Sequence, residues 1–147
     1  MGQLMDDIVS TANHFVTNMQ SVSEDYAVRG RLDFSIESLN DVDEWLGRLE
    51  QDNWDVDELY DLCSMVGCYI FETARRNYGG EYFWMENEQQ PILIAGEPDF
   101  QVSIRVWQKV KGRLTNGKED NIPFYIAGYK EHIEKGIMSK GYIVSIV

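Results

Sequence analysis

The chain is expected to fold as one α+β domain over residues 1–147, with about five helices and a small antiparallel sheet of three or four strands between the third and fourth helices. Apolar residues recur at helical spacing through the first half. Short aromatic and β-branched runs follow between turn residues, and helical spacing then returns. Helices and strands are therefore grouped rather than alternating, which argues against a doubly wound α/β sheet. At 147 residues and 44% hydrophobic, the chain can bury a core without a metal or a disulfide.

The first helix is expected over Gln3–Val22, where Leu4, Ile8, Ala12, Phe15, Val16, Met19 and Val22 share one face. A short extended piece at Arg31–Phe34 precedes Ser35, an N-cap candidate for a second helix that turns Ile36, Leu39, Val42, Leu46 and Leu49 inward with Trp45 beside them. The third helix opens on Asp55 and Glu58, spaced as a capping box, and runs to about Asn77 before Gly79-Gly80 ends it. It is long and apolar, so it should be central. Three strands are expected at Glu81–Met85, Pro91–Ala95 and Phe100–Ile104. A fourth helix spans about Ile104–Leu114, and a fifth about Asp120–Lys135 before Gly136. The tail Gly141–Val147 is β-branched and can add a strand.

Familiar chemistries find no footing. There is no phosphate-binding P-loop, dinucleotide fingerprint or nucleophile elbow. The stretch Asp52–Glu58 places no glycine where a calcium loop needs one. Cys63 and Cys68 sit about 140° apart around a helix and should be reduced, buried thiols rather than a bridge. His14 and His132 lie far from them in sequence, so no metal centre is expected. His14 should be partly buried, and Glu72 should make a helix-surface salt bridge with Arg75 or Arg76 worth about 0.2–0.5 kcal/mol. No catalytic residue and no cofactor is expected. The N-terminus lacks a basic secretory region, Asp6 stands where myristoylation wants Ser or Thr, and no apolar run approaches ~18 residues. A cytoplasmic location and no membrane partner are the expectation.

Charge is the most informative feature. Residues 1–64 carry fifteen acids and three bases, whereas residues 65–147 carry ten of each, so the whole formal charge of −12 resides in the first 64 residues. The acids concentrate between Asp33 and Asp61 with only Arg48 against them. Such a field attracts a basic partner and speeds encounter. It also keeps a small protein soluble, and acids at helix starts stabilise the helix dipole. Asp33, Glu37, Asp41, Asp43, Glu44, Asp52, Asp57 and Asp61 are the candidate contact acids, with Trp45 and Trp54 as anchors. They should lie on the polar faces of two neighbouring helices and the loop joining them. A smaller basic run, Arg105, Lys109, Lys111, Arg113 and Lys118, fits intramolecular neutralisation as well as phosphate contact, and the net charge argues against nucleic acid.

The stretch Leu32-Asp33-Phe34-Ser35-Ile36-Glu37, together with Gly67-Cys68-Tyr69-Ile70-Phe71-Glu72, Gly79-Gly80, Trp84 and Arg113–Gly117, resembles a family of small uncharacterised bacterial proteins. The likeness covers about Leu32 to Tyr125. It implies a fold and no catalytic residue. Small acidic proteins of this general form are similar, by analogy, to immunity proteins that neutralise bacterial toxins. The functional expectation is a non-catalytic binding protein of that type, which occludes a basic toxin domain such as a nuclease by charge. The alternatives are an adaptor or regulator acting through the aromatic and basic half, and a small enzyme using a carboxylate.

Overall fold

The computed structural model describes residues 2–22, 32–51, 53–117 and 120–147. Five helices are present among them: α1 (Gln3–Val22), α2 (Ser38–Leu49), α3 (Val56–Tyr78), α4 (Val106–Asn116) and α5 (Ile122–Ile137). Strands β1 (Glu81–Met85), β2 (Gln90–Ala95) and β3 (Gln101–Ile104) fall between α3 and α4, and β4 (Ile143–Ile146) closes the chain.

The sequence periodicities place the core correctly. Ile8, Ala12, Phe15 and Met19 of α1 are buried, as are Leu39, Val42 and Leu46 of α2. The central role of α3 follows from its composition. From Val66 to Ala74 every residue is buried, which is the pattern of a helix surrounded by protein. It packs along α1 on one side and α4 on the other. Asp55 caps it by accepting a hydrogen bond from the Glu58 amide at 3.1 Å, and the Gly79 amide returns to the Arg75 carbonyl at 2.8 Å. Ser35 lies one turn ahead of α2, where its Oγ accepts from the Ser38 amide at 3.1 Å.

The piece around Phe34 is not a strand. Phe34 has φ of 63°, a left-handed conformation that ends any extension. Its amide donates to the Tyr69 hydroxyl at 3.0 Å, and its ring stacks on Tyr69 with centroids 4.8 Å apart. Arg31, where that piece was expected to begin, lies outside the described residues.

The sheet has the order β1-β2-β3-β4 and is mixed, not wholly antiparallel. Tyr82 pairs with Leu93 and Leu93 with Ile104 in antiparallel ladders. β4 instead runs parallel to β3, with Val102 opposite Val144. The reason is the connection: α4 and α5 cross over between the two strands and bring the chain back in the same direction. One face of the sheet, with Tyr82, Leu93, Ala95, Val102 and Ile104, lies against the helices. Tyr82 meets Phe71 edge-on at 5.6 Å, and Trp84 meets Trp107 of α4 at 6.3 Å. The fourth helix begins two residues later than expected because Ile104 belongs to β3.

Gly67 lets α4 come this close to α3. A Cβ there would sit 2.3 Å from Cδ1 of Trp107. Gly67→Ala is therefore expected to cost about 1–3 kcal/mol through overpacking, despite alanine's better helix propensity. Chemical denaturation of the two proteins checks this. A variant as stable as the parent would mean that the indole shifts freely.

Candidate partner-binding surface

The structure divides the predicted contact residues. Asp33, Glu37, Glu44, Asp57 and Asp61 are exposed and Asp41 is partly so. Glu37, Asp41, Glu44 and Arg48 follow one another on the outer face of α2, with Arg48 donating to Glu44 at 2.7 Å. Asp33 accepts from the Ser35 amide at 3.0 Å, and hydrogen bonds from the Ser35 side chain and backbone hold its carboxyl below the usual value. Asp52 lies outside the described residues.

Asp43 and Trp45 are corrections. Both are turned inward. Trp45 packs its ring against Phe15 with centroids 5.7 Å apart, so it is a core residue and not a surface anchor. Asp43 pairs with Arg113 at 3.0 Å and also accepts from the Ile122 amide at 2.9 Å, so its charge is committed to the start of α5. Trp54 is half-buried and spends its indole N–H on the Leu114 carbonyl at 3.3 Å. The two acidic helices meet at the hydrogen bond between Ser38 and Tyr69, 2.7 Å long, but the main packing of α2 is on α4 and α5 and that of α3 on α1 and α4. The acids therefore form two sets, one on α2 and one at the start of α3, rather than one shared face.

The basic run is mostly neutralised within the chain. Arg105 pairs with Glu88 at 2.9 Å, Lys109 with Asp120 at 2.9 Å, and Arg113 with Asp43 and Glu50. Lys118 lies outside the described residues, and Lys111 is exposed. By contrast Asp57, Glu58 and Asp61 make no ion pair among the described residues.

These three acids share the first two turns of α3 with exposed apolar residues. Val56 is 78% and Tyr60 49% exposed. Tyr60 stands edge-on to Trp107 at 5.5 Å, and Trp107 in turn meets Trp84, which is exposed at the edge of β1. Beside them runs a groove of about 250 Å³ lined by Val56, Leu59, Tyr60, Gln90, Trp107 and Lys111 among others. That is below the ~300–1,000 Å³ of drug-sized ligand sites and suits a single side chain. Among the described residues the buried oxygen Oε1 of Gln90 lacks a hydrogen-bond partner, while its amide nitrogen is fixed by Glu88 at 2.9 Å.

The sequence reading names Asp57 and Asp61 as contacts but not their neighbours Tyr60, Trp84 and Trp107. One signal was present. Phe83 and Trp84 are consecutive in a strand, so they point to opposite faces and cannot both enter one core.

Both cysteines are buried. Burial pushes the Cys63 thiol up to about 11 and the Cys68 thiol up to about 12, so neither is an activated nucleophile. His14 is exposed on the outside of α1 rather than partly buried. Among the described residues no group of three His, Cys, Asp or Glu could hold a metal ion, and no helix is long and apolar enough to cross a membrane.

The start of α3 thus sets exposed acids beside an aromatic groove. Comparison with known proteins adds no name to it: no family model, no curated protein and no solved structure matches the chain.

Proposed function

We propose that the chain is a non-catalytic binding protein of the immunity type. It acts in the cytoplasm and occludes a basic protein partner, a bacterial toxin domain, with the start of α3 and the aromatic groove beside it. A nucleic-acid-cutting toxin fits this role, because an enzyme that holds a polyanion carries a basic surface. The observation that carries the reading is the pairing of exposed Val56 and Tyr60 with the unpaired acids Asp57, Glu58 and Asp61 on the same two helical turns. Aromatic anchors within a charged surround are the usual composition of a contact centre. The charge would steer the encounter, and burial of Tyr60 and Trp84 would hold the complex.

The test begins with capture of the partner from the native host, followed by association kinetics at two ionic strengths. The triple reversal Asp57→Lys, Glu58→Lys and Asp61→Lys is expected to slow association at least about tenfold at low salt and to flatten its salt dependence. Tyr60→Ala is expected mainly to speed dissociation. A partner that binds the triple variant at the wild-type rate, with the same salt dependence, removes this surface from the account.

A further inference from the structure

The face of the sheet turned away from the helices is more apolar than a solvated face should be. Antiparallel ladders with one open side normally alternate apolar-in and polar-out. Here the outward positions of β1 and β2 are Glu81 and Phe83 opposite Ile94 and Ile92, with Met85 beside them, while Gln90 is buried at the α3 groove. Phe83 is 41% exposed, and Met85, Ile92 and Ile94 are each partly open. Their strand neighbours Tyr82, Leu93 and Ala95 already supply the core, so this second apolar set is not needed to fill it.

The ends of that patch are acidic. Glu86 lies in the turn that joins β1 to β2. Glu97 and Asp99 lie in the turn that joins β2 to β3, and Glu81 flanks Ile94 at the same end. Among the described residues none of these four makes an ion pair; Glu97 accepts only from Gln101, and Glu86 from Gln89. The nearby guanidinium of Arg105 is taken by Glu88, and Lys140 is exposed near Asp99, whose carbonyl accepts from the Gly141 amide. A second copy of the same face would bring acid against acid, in a chain of net charge −12.

We infer that this open face of β1 and β2 docks a basic amphipathic helix of another protein, lying along the strands. The six residues of β2 span about 20 Å, which is the length of about 13 helical residues. The fitting segment therefore has an apolar stripe of three to four turns with lysine or arginine at both ends, to meet Glu86 at one end and Glu81, Glu97 and Asp99 at the other. This surface is distinct from the α3 groove and does not depend on it.

A 15-residue Leu/Lys helical peptide with lysines at both ends is the probe, and a scrambled peptide of the same composition controls for charge alone. Backbone amide shifts of the isotope-labelled protein locate each peptide. The amphipathic peptide is expected to bind at least tenfold tighter than the scrambled one and to shift β1 and β2. Phe83→Thr with Ile92→Thr, which keeps β-branched residues in the strands, should lower its affinity at least tenfold at an unchanged melting temperature. Tyr60→Ser should leave it unaltered. Equal binding of both peptides, shifts confined to α2 or α3, or an unaffected double variant would each overturn the inference. So would a dimer of the free protein that Phe83→Thr dissociates, since the occupant would then be a second copy.

Discussion

Replacing Asp43 with alanine is expected to lower the unfolding free energy by about 3–5 kcal/mol, and replacing Arg113 with alanine by a similar amount. Both side chains are almost fully enclosed, and each is the other's nearest counter-ion, with the more exposed Glu50 at 3.4 Å from Arg113. Removing one strands a full charge away from water, and that desolvation exceeds anything the pair contributes when intact. The site also ties three elements together. Asp43 comes from α2, Arg113 from α4, and the Ile122 amide at the start of α5 donates to Asp43. Gly47 leaves the space, since a Cβ there would lie 2.6 Å from Nη2 of Arg113. The double variant Asp43→Leu/Arg113→Met should be more stable than either alanine variant, because no lone charge remains. It should still fall short of the parent by about 1–3 kcal/mol, the cost of leaving the Ile122 amide unpaired. Urea unfolding of the four proteins decides this. Additive losses in the double variant would mean that the pair is not coupled and that the enclosure is looser than the geometry implies.

The same pair explains which parts of the molecule were legible in advance. The bounds of α1 and β1 and the start of α3 follow from the sequence because their signals are local: a helical stripe, a run of aromatics after a glycine pair, and a capping aspartate. The parallel pairing of β4 was not legible, since it depends on how two intervening helices return the chain to β3. Asp43 was misread for a different reason, while the intramolecular neutralisation expected for Arg113 is met by Asp43 and Glu50. Each was classed by its charge, although its position lay on an apolar stripe. Asp43 is four residues after Leu39 and three before Leu46, and Arg113 is three after Val110. Spacing therefore predicted an inward direction for both, and only a partner 70 positions away makes that direction tolerable. Tyr60 and Trp84 were missed in the opposite sense, since neither is among the candidate contacts read from the sequence although both reach solvent.

The charge asymmetry survives folding in an altered form. Most acids of the second half that touch the helical core acquire a basic partner, as Glu72, Glu88 and Asp120 do. The acids on α2 and at the start of α3 mostly remain in water. A net field of that sign acts at the range of the Debye length, about 8 Å at physiological salt. It can bias an encounter, but short-range burial must then retain the partner. That division of labour is why the aromatic groove matters more to the proposed function than the number of acids.

Glu72→Gln is expected to cost about 3 kcal/mol at neutral pH, several times the value of the surface salt bridge that the sequence suggested. The residue is the only charge in the buried run Val66–Ala74, and its side chain is fully enclosed. Burial alone would raise its carboxyl, but hydrogen bonds from Arg75, Tyr82 and Arg76 outweigh that and hold it below the ordinary value of 4.5. Arg75 binds both oxygens, at 2.6 and 2.9 Å, and the Tyr82 hydroxyl donates at 2.7 Å. Burial and the Glu72 charge drive the Tyr82 hydroxyl far above its own usual range, so it remains a donor. Because folding depresses the Glu72 carboxyl, the unfolded chain binds its proton more readily. The stabilisation is therefore complete above pH 4.5 and is lost as pH falls through the lower folded value. Glutamine keeps the shape but has no charge to lose. The stability gap between parent and variant should thus be widest at pH 7 and narrow toward pH 3 in urea unfolding. A gap that stays constant over that interval would show that Glu72 contributes through packing alone, and that its two arginines are satisfied by water.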